Sequence, residues 1–174
     1  TKTKELITPE PVGNLDGIPY SIRDLANRTV LDTTMKSLEK TIATETGRTV
    51  IENAKQQLHM LDSINEALGA ESADDRTLLS LDVTGQGRAA IVVGDLRTAD
   101  YVSYMVPGMF FTIENQMGDW VDAAARLHDE ELSWLALLGP GAGTAPATDN
   151  PTVATIAWIG YHTPNLTNVG GIQN

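Results

Sequence analysis

Tyr101-Val102-Ser103-Tyr104-Met105-Val106-Pro107-Gly108-Met109-Phe110-Phe111 changes character once, at Pro107-Gly108, and that change decides the fold. Tyr101–Val106 is dominated by aromatic and β-branched residues and reads as a strand. Pro107 ends it, because proline has no N–H to give to a ladder. Past the Pro-Gly step, Ile113, Met117, Trp120, Val121, Ala124, Leu127, Trp134, Leu135 and Leu138 mark one side of a long helix. Thr152–Ile159 then carries Val153, Ala154, Ile156, Ala157 and Trp158, a run apolar enough to be a strand covered on both faces. A strand–helix–strand order calls for a parallel pair joined by a right-handed crossover.

Upstream, Leu78–Val83 and Arg88–Gly94 are two short β-type runs, and Thr84-Gly85-Gln86-Gly87 between them reads as a hairpin turn. Before the hairpin the period is helical. Leu31, Met35, Leu38 and Ile42 form one apolar stripe; Ile51, Ala54, Leu58, Leu61, Ile64 and Leu68 form another. Gly47 stands between them and costs about 1 kcal/mol in a helix interior, so two helices or one weakly jointed helix are expected. Gly69 is a natural stop. Residues 1–20 hold Pro9, Pro11, Gly13, Asn14, Gly17 and Pro19 and are expected to follow an irregular path. The division is therefore an arm and helical segment over 1–76 and an α/β region over 77–174.

The 174 residues suffice for one ordinary domain, and 41% apolar content gives it a core. A formal charge of −11 would repel phosphates, which argues against nucleic acid and anionic membrane surfaces as partners. No run is apolar enough to span a bilayer. The absence of cysteine removes disulfides, thiolate catalysis and Cys-ligated metal together. A first residue of Thr1 is compatible with processing, which favours export over the cytosol as an expectation.

Three segments carry a family resemblance: Asn14-Leu15-Asp16-Gly17-Ile18-Pro19 with Arg23-Asp24-Leu25-Ala26-Asn27-Arg28, then Tyr104-Met105-Val106-Pro107-Gly108-Met109, then Ala157-Trp158-Ile159-Gly160-Tyr161 with Pro164 behind it. In that order they resemble a family of actinobacterial α/β-hydrolases, over about residues 13–164. The resemblance implies an incomplete α/β-hydrolase sheet: an antiparallel first pair, a third strand ending in an oxyanion loop, and a fourth strand, all preceded by the helical segment. It also implies a serine elbow, a G-x-S-x-G turn in such enzymes, beyond Asn174, with the acid and the histidine later still. The sequence contains no G-x-S-x-G of its own. In the hydrolase strand order the third strand lies between the fourth and the nucleophile-bearing fifth, so its outer side is expected to be unpaired here. A second polypeptide, such as the other product of a cleaved precursor, or further sequence of a longer chain would complete the sheet.

The candidate catalytic residues are Gly108 and Met109. Acyl transfer needs N–H groups aimed at the oxyanion of a tetrahedral intermediate, and one such donor comes from the loop after the third strand. The competing reading is a Pro-Gly turn that only ends a strand. Phe110 and Phe111 with Met109 are candidates for an acyl pocket, or anchors for the following helix. His162, just past a strand end where α/β sheets place ligands, is a candidate substrate contact. His59 lies beside the helical stripe and is expected to be structural; His128 precedes Asp129, Glu130 and Glu131 and is expected to face solvent. Asp95 and Asp100 bracket a turn, and Gly139–Gly143 lacks the lysine of a phosphate loop.

The resemblance thus implies a component of a serine hydrolase for an ester or amide, inactive alone, with small-molecule or peptide substrate. Such chemistry needs no metal or organic cofactor. The alternative is a non-catalytic binding or structural protein that retains part of a hydrolase scaffold, since fold does not establish activity.

Overall fold

The computed structural model describes residues 9–69, 76–138 and 151–161. The elements run α1 (Pro9–Asn14), α2 (Tyr20–Thr44), α3 (Arg48–Leu68), β1 (Arg76–Asp82), β2 (Arg88–Val93), β3 (Tyr101–Met105), α4 (Ile113–Leu138) and β4 (Val153–Ile159). The four strands form one sheet in the order β1-β2-β4-β3. β1 and β4 both run antiparallel to β2, and β3 runs parallel to β4, with Tyr104 opposite Ile156. This is a mixed four-stranded sheet preceded by helices, with the strand order that the resemblance implies.

The arm is not wholly irregular, for Pro9–Asn14 is helical. Both prolines stand in the first turn, where a missing N–H breaks no intrahelical bond. Gly47 does divide two helices, as the residue preceding α3 at φ −76°, and Gly69 ends α3 at φ 72°. The hairpin turn closes through Gly87 N–H to Thr84 O at 2.9 Å, with Gly85 and Gly87 both in the left-handed region.

One large core joins the helices to one face of the sheet. Val30 and Leu31 of α2, Leu61, Ile64 and Leu68 of α3, and Ile113, Met117, Val121 and Ala124 of α4 pack on Leu78, Leu81, Ala89, Ile91, Val93, Ala157 and Ile159. A smaller cluster, Ala90, Val92, Ala154 and Ile156, occupies the opposite face. Leu78 and Leu81 are three apart, yet both enter the large core. A β-bulge between Leu78 and Ser80 makes this possible, because one extra residue re-phases the alternation.

The two edges of the sheet differ. Along β1, the first family-like segment supplies side chains to the free backbone groups. Leu78 N–H donates to Asp24 Oδ1 (2.6 Å), and Leu78 O accepts from Asn27 Nδ2 (2.9 Å). Asn14 both donates to Leu81 O (2.8 Å) and accepts from Leu81 N–H (3.1 Å). Arg28 reaches Arg76 O at 2.7 Å and pairs with Asp24. Asn27 is 1% exposed, and a Cβ on Gly13 would fall 1.8 Å from its Oδ1, so only glycine fits there. Along β3, among the described residues, no strand lies on the outer side.

Candidate functional site

The parallel pair β3–β4 brings Met105 and Ala157 level, so the segments after both strands leave the same end of the sheet. Ligands of α/β sheets bind at that end. The hairpin turn joins them there, since Arg88 and Asp82 are paired and Ala89 lies opposite Ile159.

The loop from Val106 to Thr112 is held at both ends. Met105 O accepts from Trp120 Nε1 at 3.2 Å, and Pro107 O accepts from the Tyr161 hydroxyl at 2.5 Å. On the helix side, Gln116 Oε1 reaches back to accept Thr112 N–H at 2.8 Å, the role a capping-box side chain plays. Phe111 stands edge-on to Trp120, with ring centroids 4.9 Å apart. Between these anchors, among the described residues, no hydrogen bond engages the N–H of Gly108, Met109 or Phe110.

Phe110 has φ 69°, the one non-glycine left-handed residue among those described. That conformation costs a bulky side chain about 1–3 kcal/mol and persists only where the surroundings impose it. Gly108, by contrast, has an ordinary φ, and a Cβ placed there would meet nothing within 4 Å. The turn therefore does not depend on glycine at 108; what glycine leaves is open space beside the loop.

The candidate residues separate accordingly. Gly108, Met109 and Phe110 lie together on the exposed crest, with Met109 and Phe110 more than half exposed. Phe111 is turned in against α4. His162 and Gly139–Gly143 lie outside the described residues. His59 is not built into the apolar stripe: it is largely exposed and its Nδ1 lies 3.3 Å from Glu114 of α4. His128 does not face solvent. Its ring is largely covered, and a Cβ on Gly94 would come within 2.9 Å of Nε2, so the end of β2 covers it.

Asp95 accepts from the Arg97 side chain at 2.7 Å and from Arg97 N–H at 2.9 Å, and these bonds lower its pKa from 3.8 to about 2. It is a turn-forming carboxylate. Asp100 accepts from Thr152 N–H at 2.9 Å and ties the starts of β3 and β4. A cleft of about 390 Å³ lies between α3, the hairpin turn and the start of α4, lined by Asn53, Gln57, Met60, Gln86, Thr112 and Glu114. It touches the anchored end of the loop and not its crest.

Sequence reasoning missed Tyr161, Trp120 and Gln116, which fix the loop. Tyr161 stood in a family-like segment without a role. Its contact is 54 residues away, and no local pattern signals it.

Residues 82–173 match the family model described as alpha/beta hydrolase. The chain is also similar to two uncharacterized proteins of Mycobacterium tuberculosis, MT2140 of strain CDC 1551 / Oshkosh and Rv2079 of strain ATCC 25618 / H37Rv. Each is 32% identical over 179 residues, covering 90% of this chain and 25% of the relative. The chain thus spans a quarter of the length of these curated relatives. No solved structure gives a significant match.

Proposed function

The chain belongs to the alpha/beta hydrolase family, and from that premise we propose that it forms the leading part of a serine hydrolase acting on an ester or amide. The crest Gly108-Met109-Phe110 is the oxyanion-binding element. A further polypeptide segment, pairing with the outer side of β3, supplies the serine, the acid and the histidine.

In this reading the partner serine attacks the acyl carbon while the histidine takes its proton. The carbonyl π electrons move to oxygen, and crest N–H groups stabilise that oxyanion. Its collapse expels the leaving group, which receives the proton, and water then releases the acyl group by the same route. Fixed donors act best here, because they need not reorganise when charge develops. The observation that carries the reading is a loop anchored on both sides of three consecutive N–H groups that hydrogen-bond to nothing described. A plain strand-ending turn would not need to hold Phe110 at φ 69°.

The test is a serine-directed fluorophosphonate applied to the native protein with every polypeptide that accompanies it. Labelling of a serine in a G-x-S-x-G turn outside these 174 residues is expected. A folded, complete assembly that takes no label would instead favour the scaffold-only alternative. An intact-mass measurement showing a lone, monomeric 174-residue species in the native source would rule out a completing segment.

A further inference from the structure

We propose that Tyr161 is a positioning residue for the hydrolytic step, setting the direction of the Gly108 N–H through the Pro107 carbonyl. The proposal rests on the reading of the loop given above.

The geometry is short. The Tyr161 hydroxyl donates to Pro107 O at 2.5 Å. The Pro107–Gly108 peptide is trans, as are all described peptide bonds. In a planar trans peptide the C=O and the next N–H point in opposite directions. Holding the carbonyl toward Tyr161 therefore turns the Gly108 N–H away from it, to the other side of the loop. A free Pro-Gly peptide has no such constraint, and a half-rotation about its flanking bonds would present the carbonyl where the donor belongs. A carbonyl oxygen facing a developing oxyanion would repel it.

Tyr161 is itself supported. Its ring lies 6.0 Å from that of Trp158, and the Trp158 indole fills the space over Gly160, where a Cβ would fall 2.1 Å from Cε2. Trp158 packs in turn on the buried Ala90, Val92, Ala154 and Ile156 cluster. The hydroxyl is thus fixed to the rigid centre of the sheet through the end of β4. Two of the three family-like segments meet in this one hydrogen bond.

The experiment uses the complete protein and Tyr161→Phe, with p-nitrophenyl acetate as probe ester. The expected result is a kcat lowered about ten- to hundredfold with KM within about twofold, the size of a misdirected oxyanion donor. Affinity for a trifluoromethyl ketone, which forms a tetrahedral adduct, should fall in parallel. Trp158→Phe keeps the hydroxyl and loosens its support, so a smaller fall in kcat of the same kind is expected, and it serves if Tyr161→Phe does not fold. An unchanged kcat in a folded Tyr161→Phe, with active wild type, overturns the positioning role alone. A wild-type protein that neither turns over the probe nor takes a fluorophosphonate overturns the hydrolase reading, and this role with it.

Discussion

Gly108 is the residue whose substitution separates the two readings of the Pro-Gly step. A Cβ there meets open space and its φ is ordinary, so Gly108→Val should fold with a melting temperature close to wild type. If the space it leaves is where an acyl oxygen approaches, the branched side chain blocks that approach, and kcat/KM should fall about 100-fold or more. Unchanged turnover in the folded variant would remove the loop from the mechanism. Asp95 gives a second test at this scale. Its folded pKa is depressed, so any stability it contributes is present above the ordinary value of 3.8 and is lost as pH falls through about 2. Removing the side-chain partner with Arg97→Ala should raise the Asp95 titration, followed by NMR, toward the ordinary carboxylate range, with the bond from the backbone N–H of residue 97 still holding it somewhat low. A midpoint that stayed near 2 would show that the Arg97 side chain is not the cause. Gly108, Met109 and Phe110 could be named as candidates because the family resemblance gives a role to the loop after the third strand, whereas strand, Pro-Gly and helix in succession mark only a strand-ending turn. The anchors Tyr161 and Trp120 could not, since contacts made across 54 and 15 residues have no periodic signature.

Among the elements, β1 explains why residues 14–28 look as they do. An exposed strand edge invites pairing, and proteins suppress that by covering it. Here Asn14, Asp24, Asn27 and Arg28 act as a substitute strand, bonding the backbone of Leu78, Leu81 and Arg76. Helical periodicity in α2 could not disclose this, because Asn27 lies one turn before the buried Val30 and Leu31 and one turn after Arg23 and Asp24, so it reads as part of a polar stretch. Its burial at 1% makes sense only once the bulged edge of β1 is in view. Asn27→Ala leaves Leu78 O without its donor in a buried place, while Gly13 O keeps its bond from Arg23 Nε at 2.9 Å; a group left unsatisfied costs about 1–3 kcal/mol. A loss of about 1–3 kcal/mol in urea unfolding is expected, and a loss under about 0.5 kcal/mol would mean that water replaces the clasp. Gly13→Ala should be at least as damaging, as its Cβ would overlap the Asn27 carboxamide. Element boundaries are legible to within one or two residues where the hydrophobic period changes; α1 is not, because prolines signal a break in the chain unless they stand in a helix's first turn.

On the scale of the whole molecule, the closed edge at β1 gives meaning to the open one at β3. Tyr101 N–H donates to Thr152 O, so the groups of Tyr101, Ser103 and Met105 face β4, and by alternation those of Val102 and Tyr104 face outward. Val102, Tyr104 and Val106 are also exposed apolar side chains, at 43%, 68% and 51%. Helix α4 repeats the pattern. At 100° per residue, Trp120, Ala123, Leu127 and Trp134 form a second stripe turned from the core line of Ile113, Met117, Val121 and Ala124 toward the β3 side, and Trp134 is 60% exposed. The outward backbone donors of β3 and the helix stripe thus face one flank, in a chain whose relatives are about four times its length, while the side chains of Val102 and Tyr104 stand beside Ala154 and Ile156 on the sheet face opposite α4. If a strand pairs there in the complete protein, the amides of Val102 and Tyr104 should exchange as slowly as those of Ser103 and Met105. Tyr104→Pro sharpens the test, because it deletes an outward N–H and puts a ring in its place while sparing the bonds to β4. The variant should keep its far-UV circular dichroism, lose the slow exchange at Val102, and lose hydrolase activity with it. Rapid exchange at Val102 and Tyr104 in the native assembly, or full activity in Tyr104→Pro, would mean that β3 is a true edge and that the catalytic serine does not arrive beside it.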